Sequence, residues 1–339
     1  PATAQEPPDS ALALDPVVVR VLRSTVGTGT PYAVSVARGE ELRRATGGAF
    51  LEEALRAVPG VQIQNRYNLA AAERLAIRGF GARAQFGIRG VRVLVDGIPA
   101  TLPDGQTALD HLDLANLGRV ELLRGPGAAL YGNAAGGVLH FRTLPPPPSG
   151  TDVALESSTG SFGLRTVQGG VAGSLGEGGY RASVADLRFD GFRTNPLDGA
   201  SGTFGEARRT IVNATATLPV GGGTLRAVFN GLDMAADNPG SLSQELLDDG
   251  DRQAFRFNVL QQTREDILQG QLGLTWNGRL GALDGQVGVW GIRRDFLGAI
   301  PPAVVEFDRN AGGVRALFEG GTETPLGLLT LGGGVEVEL

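Results

Sequence analysis

Residues 120–143 read VELLRGPGAALYGNAAGGVLHFRT. A β-type run, Val120 to Leu123, meets an Arg124-Gly125-Pro126-Gly127 turn. A small-residue segment follows, ending in Leu130-Tyr131-Gly132, and Gly136-Gly137 launches a second strand from Val138. The order is strand, tight turn, compact loop, strand. Upstream, Val91, Val93 and Val95 alternate with Arg92 and Leu94 as far as an Asp96-Gly97 turn signal, and Ile77-Arg78-Gly79-Phe80-Gly81 opens another strand and loop. Phe50, Leu51, Ala54, Leu55 and Val58 share one helical face with Glu52, Glu53 and Arg56 opposite; Pro59-Gly60 stops that helix and Val61 to Gln64 alternates as a strand. Asp113 is placed to cap a helical turn ahead of Val120.

Composition narrows the classes open to such a chain. Gly accounts for 53 of 339 residues, roughly one in six, with no three-residue period, as many short strands and turns require. Cys is absent, which excludes a disulfide scaffold and thiolate metal sites. The net charge of -6, without a basic tail, argues against nucleic acid, whose phosphates need a positive face. No run approaches the ~18 apolar residues of a transmembrane helix, whereas a barrel strand needs only ~9 to 11 residues with alternate positions facing lipid.

Two motifs mimic nucleotide sites. Gly79-x-Gly81-x-x-Ala84 has the dinucleotide spacing, but Gly87 and Gly90 interrupt the helix it needs; Gly127 to Gly132 has a phosphate-loop spacing, but Asn133 and Ala134 stand where Lys and Ser/Thr belong. No catalytic set is found. His111 and His140 lack ligand-spaced partners, and although His111 could join Asp110 and Asp113 around a metal, a turn is the simpler use of that stretch. No enzyme activity, resident cofactor or metal site is expected.

The strings VELLRGPGAALYGNAAGG, IRGFG (Ile77 to Gly81) and VLVDGIP (Val93 to Pro99), in that spatial grammar, resemble the plug domain of TonB-dependent outer-membrane receptors, and the likeness covers Asp15 to about Thr143. It implies an α+β plug, a small mixed sheet with short helices, followed by a transmembrane antiparallel β-barrel. It also implies that Asp15, Pro16, Val17, Val18 and Val19 form the energy-coupling (TonB) box, captured by strand addition, with Pro16 restricting which edge pairs. Arg78 and Arg124, each before a Gly at a strand end, match family arginines that latch the plug to barrel acids. Left to the residues alone, both would read as solvated strand ends. The organisation expected is a signal-peptide remnant and mobile arm over 1–13, the box over 14–21, the plug over 22–144, a proline linker over 145–150 and barrel over 151–339. With so few residues before the box, no extra signalling domain is expected within this chain.

After Pro145 to Pro148 a period of two dominates. Leu268, Leu272, Leu274 and Trp276 alternate with Gln269, Gln271, Gly273 and Thr275, and Val212, Ala214, Ala216, Leu218 and Val220 with Asn213, Thr215 and Thr217. In a membrane barrel the apolar set meets lipid and the polar set the lumen. About nine strands are expected, near 152-159, 163-174, 179-189, 208-219, 223-235, 264-277, 284-295, 313-320 and 327-338. Short connections alternate with long ones over 190–207, 236–264 and 296–312, the parity of a barrel with short periplasmic turns. Trp290, Tyr180 and Phe189 are candidate interface aromatics. Nine strands leave two open edges, so the expectation is a fragment of a barrel of about 22 strands, prone to aggregate alone.

The resemblance implies energised import of an iron chelate, a ferric siderophore or ferric citrate, across the outer membrane of a Gram-negative bacterium, with TonB and its inner-membrane complex as partner and outer-membrane lipid around the barrel. Plug loops Phe80 to Phe86 and Thr101 to Thr107 would face the ligand through Arg83, Gln85, Phe86, Asp104 and Gln106, donors and acceptors suited to an anionic chelate. Cobalamin, haem, another metal chelate or an oligosaccharide remain open as cargo. A passive porin or adhesin, or a barrel enzyme, is the distant alternative.

Overall fold

The computed structural model describes residues 19–21, 24–26, 33–43, 49–56, 58–64, 67–84, 87–125, 128, 131–197, 202–300, 302–325 and 327–339. Asp15, Pro16, Val17 and Val18 of the expected coupling box, and Gln85 and Phe86 of the expected ligand loop, lie outside the described residues.

β1 (Val19–Val21) pairs antiparallel with β2 (Ser24–Val26), Val19 opposite Val26. The plug that follows consists of β3 (Ala33–Arg38), α1 (Gly39–Arg43), α2 (Leu51–Leu55), β4 (Val61–Gln64), β5 (Arg74–Ile77), β6 (Val91–Val95), β7 (Ile98–Pro99), β8 (Leu117–Arg124) and β9 (Gly137–Thr143). Its mixed five-stranded sheet has the order β3-β8-β9-β6-β7, with β6 and β9 parallel, while β4 and β5 pair separately. Asp96 and Gly97 both adopt positive φ, +51° and +87°, the geometry of a two-residue hairpin turn, and so reverse β6 into β7.

The 120–143 stretch folds as a wider version of its sequence pattern, since pairing begins at Leu117 and the second strand at Gly137. Its Gly-Gly pair is required by contact rather than by freedom alone. A Cβ on Gly136 would lie 2.5 Å from the Cβ of Phe80, and one on Gly137 2.7 Å from the Leu123 carbonyl. The core joins Val91, Val93, Val120, Leu122, Leu139 and Phe141 of the sheet to Leu51, Ala54, Leu55 and Val58 of the helical face predicted for α2 and its exit. No helix forms at 113–116; Asp113 instead caps a turn, accepting from Asn116 N at 3.3 Å.

The plug sheet ends at Thr143 and the second body begins at β10 (Thr151–Thr159). It continues through β11 (Arg165–Leu175), β12 (Gly178–Phe189), the small β13 (Arg193–Thr194) and β14 (Thr203–Phe204), β15 (Ala207–Val220) and β16 (Gly223–Asp237). After α3 (Gln244–Asp248) and α4 (Arg256–Leu260) come β17 (Arg264–Leu280), β18 (Leu283–Ile300), β19 (Ala303–Thr324) and β20 (Gly327–Glu338). β10, β11, β12 and β15 to β20 form one nine-stranded sheet in sequence order, every pair antiparallel. The sheet wraps the plug with its polar side inward. Gln269 and Gln271 are 4% exposed while their neighbours Leu268 and Leu272 are 58% exposed, the reverse of a water-soluble sheet.

On the outer face, residues in register form apolar rows such as Tyr180, Ala216, Ala227, Leu274, Val289 and Val314. A row carrying Asp186, Thr210, Asp233, Asp295 and Asp308 lies toward the opposite end of the strands from the short turns. One expectation is corrected here. Residues 296–312 are not a long loop, because β18 runs to Ile300 and β19 starts at Ala303. Past that row the hairpin reads FLGAIPPAVVEF over 296–307, apolar at successive positions and interrupted by two prolines, so alternation fades from the sequence while the backbone ladder continues. The long connections over 190–206 and 238–263 do occur. Two aromatics also move: Trp290 is 8% exposed and packs inward with Ile98 and Val228, and Phe189 packs inward beside Ile211 and Met234. Both sit at lumen-facing positions of the strand period. Tyr180 stays on the outer face, its ring over Gly173.

Candidate functional site

The plug is fastened to the inner wall by polar contacts whose residues come from turns on one side and lumen-facing strand positions on the other. Asp96 accepts from Arg226 Nη2 of β16 at 2.7 Å and from Thr143 N and Oγ1 at 3.2 and 2.9 Å. Arg92, only 2% exposed, donates to Glu336 at 2.7 Å and to Glu338, both on β20. Asp113 receives Ser183 Oγ at 2.9 Å, Gln168 Nε2 at 3.2 Å and Asn213 Nδ2 at 3.2 Å, three uncharged donors from the wall. Burial raises its carboxyl above the ordinary range, with those hydrogen bonds pulling the other way. Gln271 donates to the Pro99 carbonyl at 3.0 Å and Arg315 to that of Gly97 at 3.3 Å. Beside them Gly273 leaves room for Ile98, whose side chain would collide with any Cβ there.

Above this interface the plug apex and strands β17 to β19 enclose a cavity of about 720 Å³. Four arginines, Arg89 of the plug and Arg264, Arg294 and Arg309 of the wall, line it with two acids, Asp110 and Glu265; Arg264 is paired with Asp266 at 2.7 Å. Asp110 is already engaged by Arg294 at 3.3 Å, and Arg294 also donates to Gln269 Oε1 at 2.6 Å. Phe296 and Phe307 stack at 4.9 Å on one side, and Arg309 lies over the Phe307 ring at 4.8 Å. Excess guanidinium charge with an aromatic wall favours an anion that carries apolar or planar surface.

Of the residues expected at the apex, Gln106 lines this cavity and Asp104 stands beside it, its Oδ2 3.3 Å from Arg309 Nη1. Arg83 is exposed in the turn after β5 and is not among the lining residues; Arg89, six residues on, is. Arg78 and Arg124 are brought near each other, and burial together with the Arg78 charge lowers the Arg124 pKa. The partners seen for Arg124 are Ser35 Oγ and, at 3.4 Å, the Pro59 carbonyl, all within the plug. Among the described residues neither arginine has a barrel carboxylate.

Both histidines are buried in the plug. His111 falls to about 4 and His140 well below its ordinary value, burial being the leading cause in each, so both are neutral at pH 7. Among the described residues no cluster of His, Asp and Glu could hold a metal. Glu73 is raised to about 7 by burial, against its bond from Leu51 N at 3.0 Å. The wall residues Arg226, Arg294, Arg309 and Arg315 were missed by sequence reasoning, although the strand period places all four on the lumen side, in register with Thr275, Gln269 or their inward neighbours.

Residues 28–138 match the TonB-dependent receptor plug domain. The chain is 34% identical over 178 residues to a vitamin B12 transporter of Photobacterium profundum, covering 49% of this chain and 27% of that protein. It is 34% identical over 146 residues to a hemin receptor of Yersinia pestis, covering 40% and 20%. Among solved structures it superposes on the unliganded ferric citrate transporter FecA with a TM-score of 0.72 at 21% identity, over 90% of this chain and 47% of that one. For the siderophore receptor PirA from Acinetobacter baumannii the values are 0.61, 18%, 90% and 48%. The chain thus spans about half the length of these solved structures and under a third of these curated relatives. Residues 28–138 thus carry the plug domain of TonB-dependent receptors, and the nine-stranded wall against which it sits, polar within and apolar without, gives the chain the fold of such a receptor.

Proposed function

We propose that this chain carries the ligand-receiving plug and the adjoining wall of an outer-membrane importer for a ferric chelate bearing carboxylates, ferric citrate or a ferric siderophore. The observation that carries this reading is the apical cavity of about 720 Å³, where four arginines outnumber two acids. Such a cavity attracts an anion, and part-buried guanidinia bind carboxylates strongly when their geometry is preset. Work must arrive mechanically, since the outer membrane has no nucleotide supply, and the segment Asp15 to Val19 is the element through which TonB would pull. Deleting residues 15–21 from the full-length receptor should abolish uptake and leave ligand binding intact. Equal loss of both would refute the coupling role.

A second cargo has one observation behind it. The parallel Phe296 and Phe307 rings, 15° apart, offer a face for a planar macrocycle, and haem also carries carboxylates. Direct binding of ferric citrate, a ferric siderophore panel, haem and cobalamin to the full-length receptor separates the two, paired with growth of a deletion strain on each iron source. Binding of cobalamin alone would overturn the iron-chelate reading.

A further inference from the structure

Loop 101–107 at the plug apex is held in two unequal ways. Its base is welded to the plug sheet: Thr101 and Thr107 are 2% and 0% exposed with their hydroxyls 2.7 Å apart. Val93 N donates to Thr101 Oγ1 at 2.8 Å, and Ile88 and Thr107 exchange backbone bonds of 2.8 and 3.0 Å. Its tip is closed on itself, Gly105 N donating to the Leu102 carbonyl at 2.8 Å and Leu102 N to that of Gln106 at 2.9 Å, and its ties outward are looser. Asp104 Oδ1 accepts from Gln106 N at 2.9 Å inside the loop, and Arg89 Nη1 donates to the Asp104 carbonyl at 3.0 Å. The ties from tip to wall run to Arg309 Nη1, which lies 3.3 Å from Asp104 Oδ2 and 3.5 Å from Gln106 Oε1.

Asp104 and Arg309 are 45% and 32% exposed, so water and salt weaken their attraction. Arg309 is nonetheless fixed in place by the Phe307 ring beneath it, and it lines the cavity that Asp104 borders. An entering carboxylate therefore meets a positioned guanidinium whose present partner is a replaceable one. We infer that Asp104 is a built-in competitor for the ligand: a carboxylate of the chelate takes Arg309 from Asp104, and site occupancy thereby unfastens the tip of the apical loop from the barrel wall. No covalent bond is made or broken; one ion pair replaces another, with Arg89 close enough to share the incoming charge. This inference rests on the anionic-chelate reading above and adds to it how occupancy changes the plug. By linkage, whatever holds Arg309 on Asp104 opposes ligand binding to the same extent that ligand opposes the loop contact.

The test uses the full-length receptor, with ferric citrate and free citrate as probes, and reads binding by calorimetry and the exchange of the loop amides Gly105 and Thr107 by hydrogen–deuterium exchange. In the wild type, saturating probe should speed Gly105 exchange and leave Thr107, at the welded base, unchanged. Asp104→Asn should show fast Gly105 exchange without ligand and no further rise with it. It should also bind the probe more tightly, by up to about fivefold, because an exposed ion pair no longer competes. Arg309→Gln should loosen the tip and weaken binding. Tighter binding by Asp104→Asn, together with a ligand-responsive tip in the wild type, supports the exchange. Unchanged or weaker binding by Asp104→Asn, or a tip that ignores ligand in the wild type, overturns it while leaving the chelate reading standing. If the wild type binds neither probe nor any ferric chelate or haem, the functional reading and this inference fall together.

Discussion

Asp96 offers the sharpest probe of how the plug is seated. Its carboxylate joins the turn after β6, the end of β9 and the barrel wall, through Thr143 and Arg226, and its side chain is 2% exposed. Asp96→Asn keeps the size, the tolerance of φ +51° and one acceptor oxygen for Thr143, losing the charge opposite Arg226 and the second acceptor. Hydrogen bonds to charged groups are worth ~1.5 to 3 kcal/mol, and Arg226 is 24% exposed, so the lower end applies: about 1.5 kcal/mol, or roughly tenfold more plug opening. Asp96→Ala leaves Arg226 unpaired at a cost of about 3 kcal/mol and adds about 1 kcal/mol for a left-handed alanine, raising opening by roughly a hundred- to a thousand-fold. The assay is native-state hydrogen exchange on the full-length receptor in micelles, followed at the amides of Asp96 and Thr143. A double-mutant cycle with Arg226→Met isolates the pair, and the expected coupling is about 2 kcal/mol. Coupling below about 0.5 kcal/mol would show that the two residues act independently and that Asp96 matters only to its own turn.

Three further expectations follow from the same interface. Glu73 binds its proton more tightly in the folded plug than when unfolded, so its contribution is fully present below about pH 4.5 and is lost as pH rises to about 7, on the order of 3 kcal/mol in all; Glu73→Gln should flatten that part of the urea-midpoint profile between pH 4 and 8, and an unchanged slope would assign the dependence elsewhere. Gly273→Val drives a side chain into Ile98 and should cost about 1 to 3 kcal/mol of plug protection, with Ile98→Ala restoring much of it; failure of that rescue would mean that the strand itself is strained. Arg124→Ala should raise permeability to small antibiotics without abolishing folding if Arg124 is the plug's latch. Unchanged permeability would confine its role to the bonds with Ser35 and Pro59.

Much of the architecture is legible before any coordinates. The helical face of residues 50–58, the Asp96-Gly97 reversal, the glycine-punctuated 120–143 unit and the strict alternation around 268–276 are local patterns. Local sterics and a period of two express them in order along the chain. Loop parity was legible for the same reason, except at 296–312, where the hairpin reads FLGAIPPAVVEF over 296–307, apolar on both faces and broken by two prolines, so that its ladder leaves no alternation in the hydropathy pattern.

The site was legible only in outline. Asp104 and Gln106 could be placed at the apex because they sit in a short loop between two recognisable strands. Their wall partner is Arg309, more than 200 residues away. Pairings such as Asp96 with Arg226, Asp110 with Arg294 and Arg92 with Glu336 depend on the stagger of the wall against the plug, and no local pattern encodes that stagger. The sequence by itself determined two bodies, the order of the wall strands and the two-faced alternation along most of them, since these follow from periodicity and turn chemistry. Only the tertiary structure decided which charges meet across the gap, because the height and rotation of a plug inside its barrel are set by all its long-range contacts at once.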